Sequence, residues 1–154
     1  MNKIKGYFEI VDKNGVVVRR AKNHITDLGA RYLLSVMRGT LIADGYGSAS
    51  AKPTYIHVGT GQGAFDKTAY KLESPYSSVA ISSTAFITTI KARFSATWTT
   101  TGIAIGELAL GLDSTMASAP TQYNKTMVDR AVVTPPYTPG GTITINYYME
   151  MVWT

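Results

Sequence analysis

Between Ala85 and Trp98 the apolar residues Phe86, Ile90, Ala92, Phe94, Ala96 and Trp98 occupy even positions, while the odd positions from Thr89 onward are all polar. A period of two is that of a β-strand with one dry face. After Thr99-Thr100-Thr101-Gly102, the run Ile103 to Leu112 keeps Leu108, Leu110 and Leu112 in the same alternation, which predicts an antiparallel return and a hairpin over 84–112. A loop at 99–101 sets Arg93 opposite Glu107 on the wet face, and a loop at 99–103 shifts the pairing by two while keeping the faces. A one-residue slip places Phe94 opposite Glu107, which the buried face disfavours.

The same reading extends along the chain. Ile4, Phe8 and Ile10 alternate with polar neighbours, Asp12-Lys13-Asn14-Gly15 makes a turn, and Val16-Val17-Val18 begins the return of a hairpin over 3–22. A helix over 27–38 follows: Thr26 caps it, Asp27 suits its first turn, Leu28, Tyr32, Leu33, Val36 and Met37 recur at helical spacing, and Gly39 stops it. That apolar stripe is expected to pack against the sheets. Residues 40–53 read as a loop, 54–58 as a short strand, and Gly59-Thr60-Gly61-Gln62-Gly63 as its end, with weak signals near 68–72 and 77–82. A polar loop over 113–126 precedes an apolar run at 127–134, which Pro135 and Pro136 are expected to stop. The last strand, 142–153, carries Ile143, Ile145, Tyr147, Met149, Met151 and Trp153 on one face and is expected to lie inside a sheet. Many strands and one helix predict an antiparallel β-sandwich or jelly-roll-like fold, as a single domain over 1–154.

Composition narrows the picture. A chain of 154 residues buries about 68–70% of its unfolded surface without a covalent staple. It has no cysteine, which excludes disulfides and thiolate metal sites and leaves the compartment open. Neither an N-terminal apolar run nor a stretch of roughly 18 apolar residues is present, so a soluble protein made in a cytoplasm is expected, with no membrane partner. The formal charge is +5, but the cations are dispersed. Arg19-Arg20-Ala21-Lys22, the one dense group, reads as a solvated strand end, and no specific nucleic-acid partner is expected.

Candidate chemistry is sparse. The 59–63 loop lacks Rossmann glycine spacing and a Lys-Ser/Thr pair, and reads as a sharp turn. His24 and His57 have no metal-ligand partners at suitable spacing and read as surface or turn residues. No Gly-x-Ser-x-Gly elbow is present. The acids are scattered, and Glu107 and Glu150 read as wet-face strand charges, Glu107 paired with a neighbouring cation. The expectation is therefore a protein that is not an enzyme, with no catalytic, cofactor-binding or metal residues. Tyr55, Tyr147 and Tyr148 fall on strands. Tyr46, Tyr76, Tyr123 and Tyr137 fall in polar or proline-rich loops, where they suit either a partner interface or the capping of the core's ends.

The order of several segments resembles small virion structural proteins of tailed bacteriophages, and the related β-sandwich domains of tail fibres and baseplates. The segments are Asn23 to Leu34, Tyr55 to Gly61, Lys91 to Trp98, Ala104 to Leu110, Arg130 to Val133 and Thr142 to Tyr148. Gly111-Leu112-Asp113-Ser114, followed by a longer loop, departs from the short turn usual in that group and leaves the subgroup open. The resemblance implies a non-enzymatic protein of the virion that docks on other virion proteins in symmetric copies or as a homo-oligomer. Its partner is then the major capsid protein, for a decoration or cement protein, or a tail or baseplate protein, for a fibre-attachment adaptor. The compact unit, without heptads or shaft repeats, favours the head shell. A carbohydrate-binding module is the alternative from another class, and it requires clustered exposed aromatics.

Overall fold

A computed structural model describes residues 3–47 and 52–153. Part of the expected 40–53 loop therefore lies outside the described residues. Nine strands form one curled antiparallel sheet: β1 (Lys3–Val11), β2 (Val17–Ile25), β3 (Tyr55–Gly59), β4 (Pro75–Ala80), β5 (Ser83–Thr88), β6 (Lys91–Thr101), β7 (Ile105–Gly111), β8 (Asp129–Tyr137) and β9 (Gly140–Val152). Their order across the sheet is β4-β3-β7-β8-β2-β1-β9-β6-β5. The mainly β, sandwich-like architecture expected from the alternation is what the chain adopts.

Two local expectations hold in detail. The β1–β2 turn is built by Asp12, whose Oδ1 accepts from the N–H groups of Asn14 and Val16 at 2.9 Å each, with Gly15 at positive φ. Helix α1 (Asp27–Arg38) starts on Thr26, whose hydroxyl accepts from Gly29 N–H at 2.9 Å and donates to Met127 O at 2.8 Å, and it ends on left-handed Gly39. Its packed side is Gly29, Tyr32 and Ser35. Gly29 lies directly on the Val128 backbone, where any Cβ would collide. Val36 and Met37, expected to face the sheets, are exposed together with Leu34, because this close approach at Gly29 rotates them outward.

The expected hairpin over 84–112 does not form. Its first half is itself a hairpin, β5–β6, turning at Thr89-Ile90, and β6 then pairs with β9 along its whole length. β7 instead lies between β3 and β8 in the other half of the sheet. The weak signal at 77–82 falls on β4, whereas 68–72 is irregular. Strand β8 continues through Pro135 and Pro136 to Tyr137. Its pairing with β2 is confined to Asp129–Ala131, so the prolines interrupt no ladder on that side. β9 is interior, between β1 and β6, as expected.

The curl folds the two halves of the sheet onto each other. Phe8, Ile10, Ile145 and Tyr147 from one half meet Ile56, Val58, Leu108, Leu110, Ala131 and Val133 from the other in one core. β2 joins the halves by pairing with β1 up to Lys22 and with β8 from Asn23, the way strands turn corners between packed layers. Tyr76 of the edge strand β4 and Trp98 of β6, from the two halves, bring their rings to 6.1 Å.

Candidate functional site

The strongest polar cluster surrounds Glu107. Strand β7 is buried on both faces: Leu108 and Leu110 point into the main core, and the other face lies under the 60–74 loop, where Leu72 packs on Ala109 and Met127. Glu107 is consequently fully buried rather than wet. The cation it pairs with is Arg130, with Nε donating to Oε2 at 2.8 Å; Arg93, opposite Glu107 in one of the two hairpin registers, is level with Ala85 and Tyr148 instead. Oε1 accepts from Ser74 N–H at 2.7 Å and Gly61 N–H at 3.3 Å, and Oε2 also accepts from Glu73 N–H at 3.1 Å. The Arg130 guanidinium continues to the carbonyls of Gly63 and Ala64 and to Glu73. Apart from the Arg130–Glu107 bond, which joins β8 to β7, these bonds tie the 59–74 segment to the sheet. Gly59 and Gly61 have no room for a side chain because the Glu107 carboxylate occupies that space. The glycine-rich loop is thus a seat for an internal carboxylate.

A second cluster marks the corner where β2 changes partner. Asn23 Nδ2 donates to Asp129 Oδ2 and to the Tyr147 hydroxyl, and Leu110 N–H donates to Asp129 Oδ1 at 2.9 Å. Burial pushes the Asp129 carboxyl up to about 6, against the lowering pull of these bonds, and pushes Tyr147 well above its ordinary range. Asn23 also sits over Gly6, which leaves space for it by lacking a Cβ. His57, expected at the surface, is buried on β3: its Nδ1 lies 2.7 Å from Ser78 Oγ, and burial lowers its pKa to about 4. It lies level with Ala109 of β7 and Ser78 of β4, on the sheet face that Leu72 and Met127 help to cover. His24 stays exposed and stacks on Phe65 at 4.7 Å. Among the described residues no group of His and acids is arranged to hold a metal ion.

The four singled-out tyrosines fall in three places. Tyr46 is buried beneath α1, between Tyr32 at 5.6 Å and Tyr123 at 5.8 Å. Tyr123, in a short 3-10 turn, has the Arg31 guanidinium over its ring at 3.7 Å. Tyr76 is exposed on β4, and Tyr137 ends β8 beside Arg19. Tyr46 thus caps the core, and Tyr76 is the most open of the four.

A further exposed apolar surface lies elsewhere, in residues read as core. The ladder aligns Gly6, Met149, Ala92 and Phe86 in one row across β1, β9, β6 and β5, and Ile4 and Met151 in the next. All of them share the face that carries Phe8, Tyr147 and Phe94 into the core. Beyond the corner at Asn23, however, β1 is paired with β9 alone on this side and the second half of the sheet no longer covers the face. Phe86 is 82% exposed, Met151 44%, Ile4 41% and Ile90 39%. These ends of β1, β9, β6 and β5 form an uncovered tongue. On its opposite face Tyr7 stacks on Tyr148 at 4.8 Å, and Lys91 Nζ donates to the Tyr7 hydroxyl at 2.8 Å. The alternation signalled which residues share this face, but carried no signal for where cover ends.

Comparison with family models, curated proteins and solved structures finds no match to the chain.

Proposed function

We propose that the chain is a non-enzymatic structural protein of a bacteriophage virion, docking on the head shell as a decoration or cement protein. The observation that carries the assembly reading is the exposed apolar surface borne by two different elements: Ile4, Phe86 and Met151 on the tongue, and Leu34, Met37 and Ile42 on and just after α1. Soluble monomers rarely leave such groups in contiguous patches, and subunits that contact more than one neighbour need them. The virion context comes from the ordered resemblance of Asn23–Leu34, Tyr55–Gly61, Lys91–Trp98 and the later segments. The two buried polar clusters, around Glu107 and around Asp129, fit the same reading, since each bond in them holds one part of the fold to another.

The test is mass spectrometry of purified virions, followed by separation of heads from tails. The head-shell reading expects the chain in the head fraction, in many copies. Recovery with tails selects the adaptor role instead, and absence from particles removes the virion reading.

A further inference from the structure

We infer that the apolar face of the tongue is covered by the same face of a second copy of this chain. The inference names the occupant of one of the two surfaces on which the assembly reading rests. Within the covered part of the protein, a sheet face bearing Phe8, Tyr147 and Phe94 is packed by another sheet layer, and sheet layers pack about 10 Å apart. The tongue prolongs that face with Ile4, Met149, Met151, Ala92, Phe86 and Ile90 but has no second layer. A second tongue laid across it supplies one of matching chemistry.

The uncharged row and its area fit a second copy of the chain. The six residues just named are uncharged; Lys52 lines the hollow beside Phe86, Ala92 and Phe94, and Lys22 the one beside Ile4. The cations on the tongue's own strands, Lys3, Lys5, Lys91 and Arg93, alternate onto the opposite face by register, where Glu150, Tyr7 and Tyr148 also stand. Two chains of formal charge +5 can therefore stack their apolar faces while these cations point away from the contact. Exposed Phe86 and Trp153, with the part-exposed Ile4, Ile90 and Met151, offer roughly 500 Å² of apolar surface per copy. Two copies bury about 1,000 Å², the lower bound for a specific interface. Such a two-fold contact is isologous, each Phe86 meeting the partner's tongue.

The test uses the full chain and its lack of cysteine. Sedimentation equilibrium should show a concentration-dependent monomer–dimer equilibrium, and Phe86→Lys should weaken it by roughly tenfold or more, with the circular dichroism spectrum unchanged. Met151→Lys is the second variant, should the first misfold. Single cysteines then report the geometry: Ile90→Cys or Met151→Cys should form disulfide-linked dimers on mild oxidation, and Thr101→Cys, outside the tongue, should not. A monomer at all accessible concentrations overturns the inference. So does efficient cross-linking of Ala85→Cys with none at Ile90 or Met151, since that marks edge-to-edge pairing of β5. A monomer whose Phe86→Lys variant fails to join particles assigns the face to another virion protein, which overturns the second copy and leaves the virion reading intact. A dimer absent from virions does the reverse.

Discussion

Strands β1 and β9 run unbroken through a covered and an uncovered region. In the first, Phe8, Ile10, Ile145 and Tyr147 lie under the other half of the curled sheet and have almost no exposure. A few residues along the same ladder, Ile4 and Met151 continue the alternation on the same face with more than a third of their surface in water. Register with β9 and residue type are alike in both; what the outer region lacks is β2 beside β1 and a sheet layer over the face. Hydrophobic alternation thus records which face of a strand is to be dry, and the fold of this chain dries only part of it.

Substitutions along one strand should make that difference measurable. The largest effects belong to the covered region: Phe8→Ala is expected to cost about 3–5 kcal/mol through lost burial and a residual cavity. Glu107→Ala should cost a similar 3–5 kcal/mol, because it strands the Arg130 guanidinium without its buried partner and releases the 59–74 segment. Urea denaturation measures both. A loss below about 1 kcal/mol for Phe8→Ala would erase the distinction between the regions.

Titration should sharpen the comparison next, since the two strongly shifted groups with opposite slopes both lie under cover. Between the unfolded value of 3.8 and about 6, Asp129 keeps its proton in the folded chain and loses it in the unfolded one, so its contribution to stability falls as pH rises. His57 behaves oppositely: between about 4 and 6.5 the unfolded chain binds the proton first, so stability is lost as pH falls. Each contribution is of order 3 kcal/mol and the two oppose each other across pH 4–6. Asp129→Asn should therefore make stability rise more steeply with pH in that window, and His57→Gln should make it fall. Parallel pH profiles for the two variants would contradict this account.

The smallest effect is expected on the tongue, where Ile4→Ala should cost under about 1.5 kcal/mol, because much of that side chain is already in water. Thermal unfolding of Ile4→Ala beside Phe8→Ala, at a concentration too low for association, measures the contrast within one strand.

The residues themselves determined the local pieces. Asp12 and Gly15 fixed the first turn, Thr26 and Gly39 bounded the helix, and the period of two marked β1, β6 and β9, since each signal acts over a few neighbouring positions. Partner choice was not legible. Alternation says which side of β6 is dry but is silent on whether β7 or β9 lies alongside, and the tertiary fold chose β9. The same silence misplaced Glu107 and His57. An alternating strand looks half-wet from its sequence, yet β7 is dry on both faces because a distant loop lies over it, and only there does a carboxylate meet Arg130 and three backbone N–H groups. Phe86 erred in the opposite direction, being core by period and open by position. Burial depends on which segments, remote in sequence, come to rest above a face, and that is decided when the sheet curls.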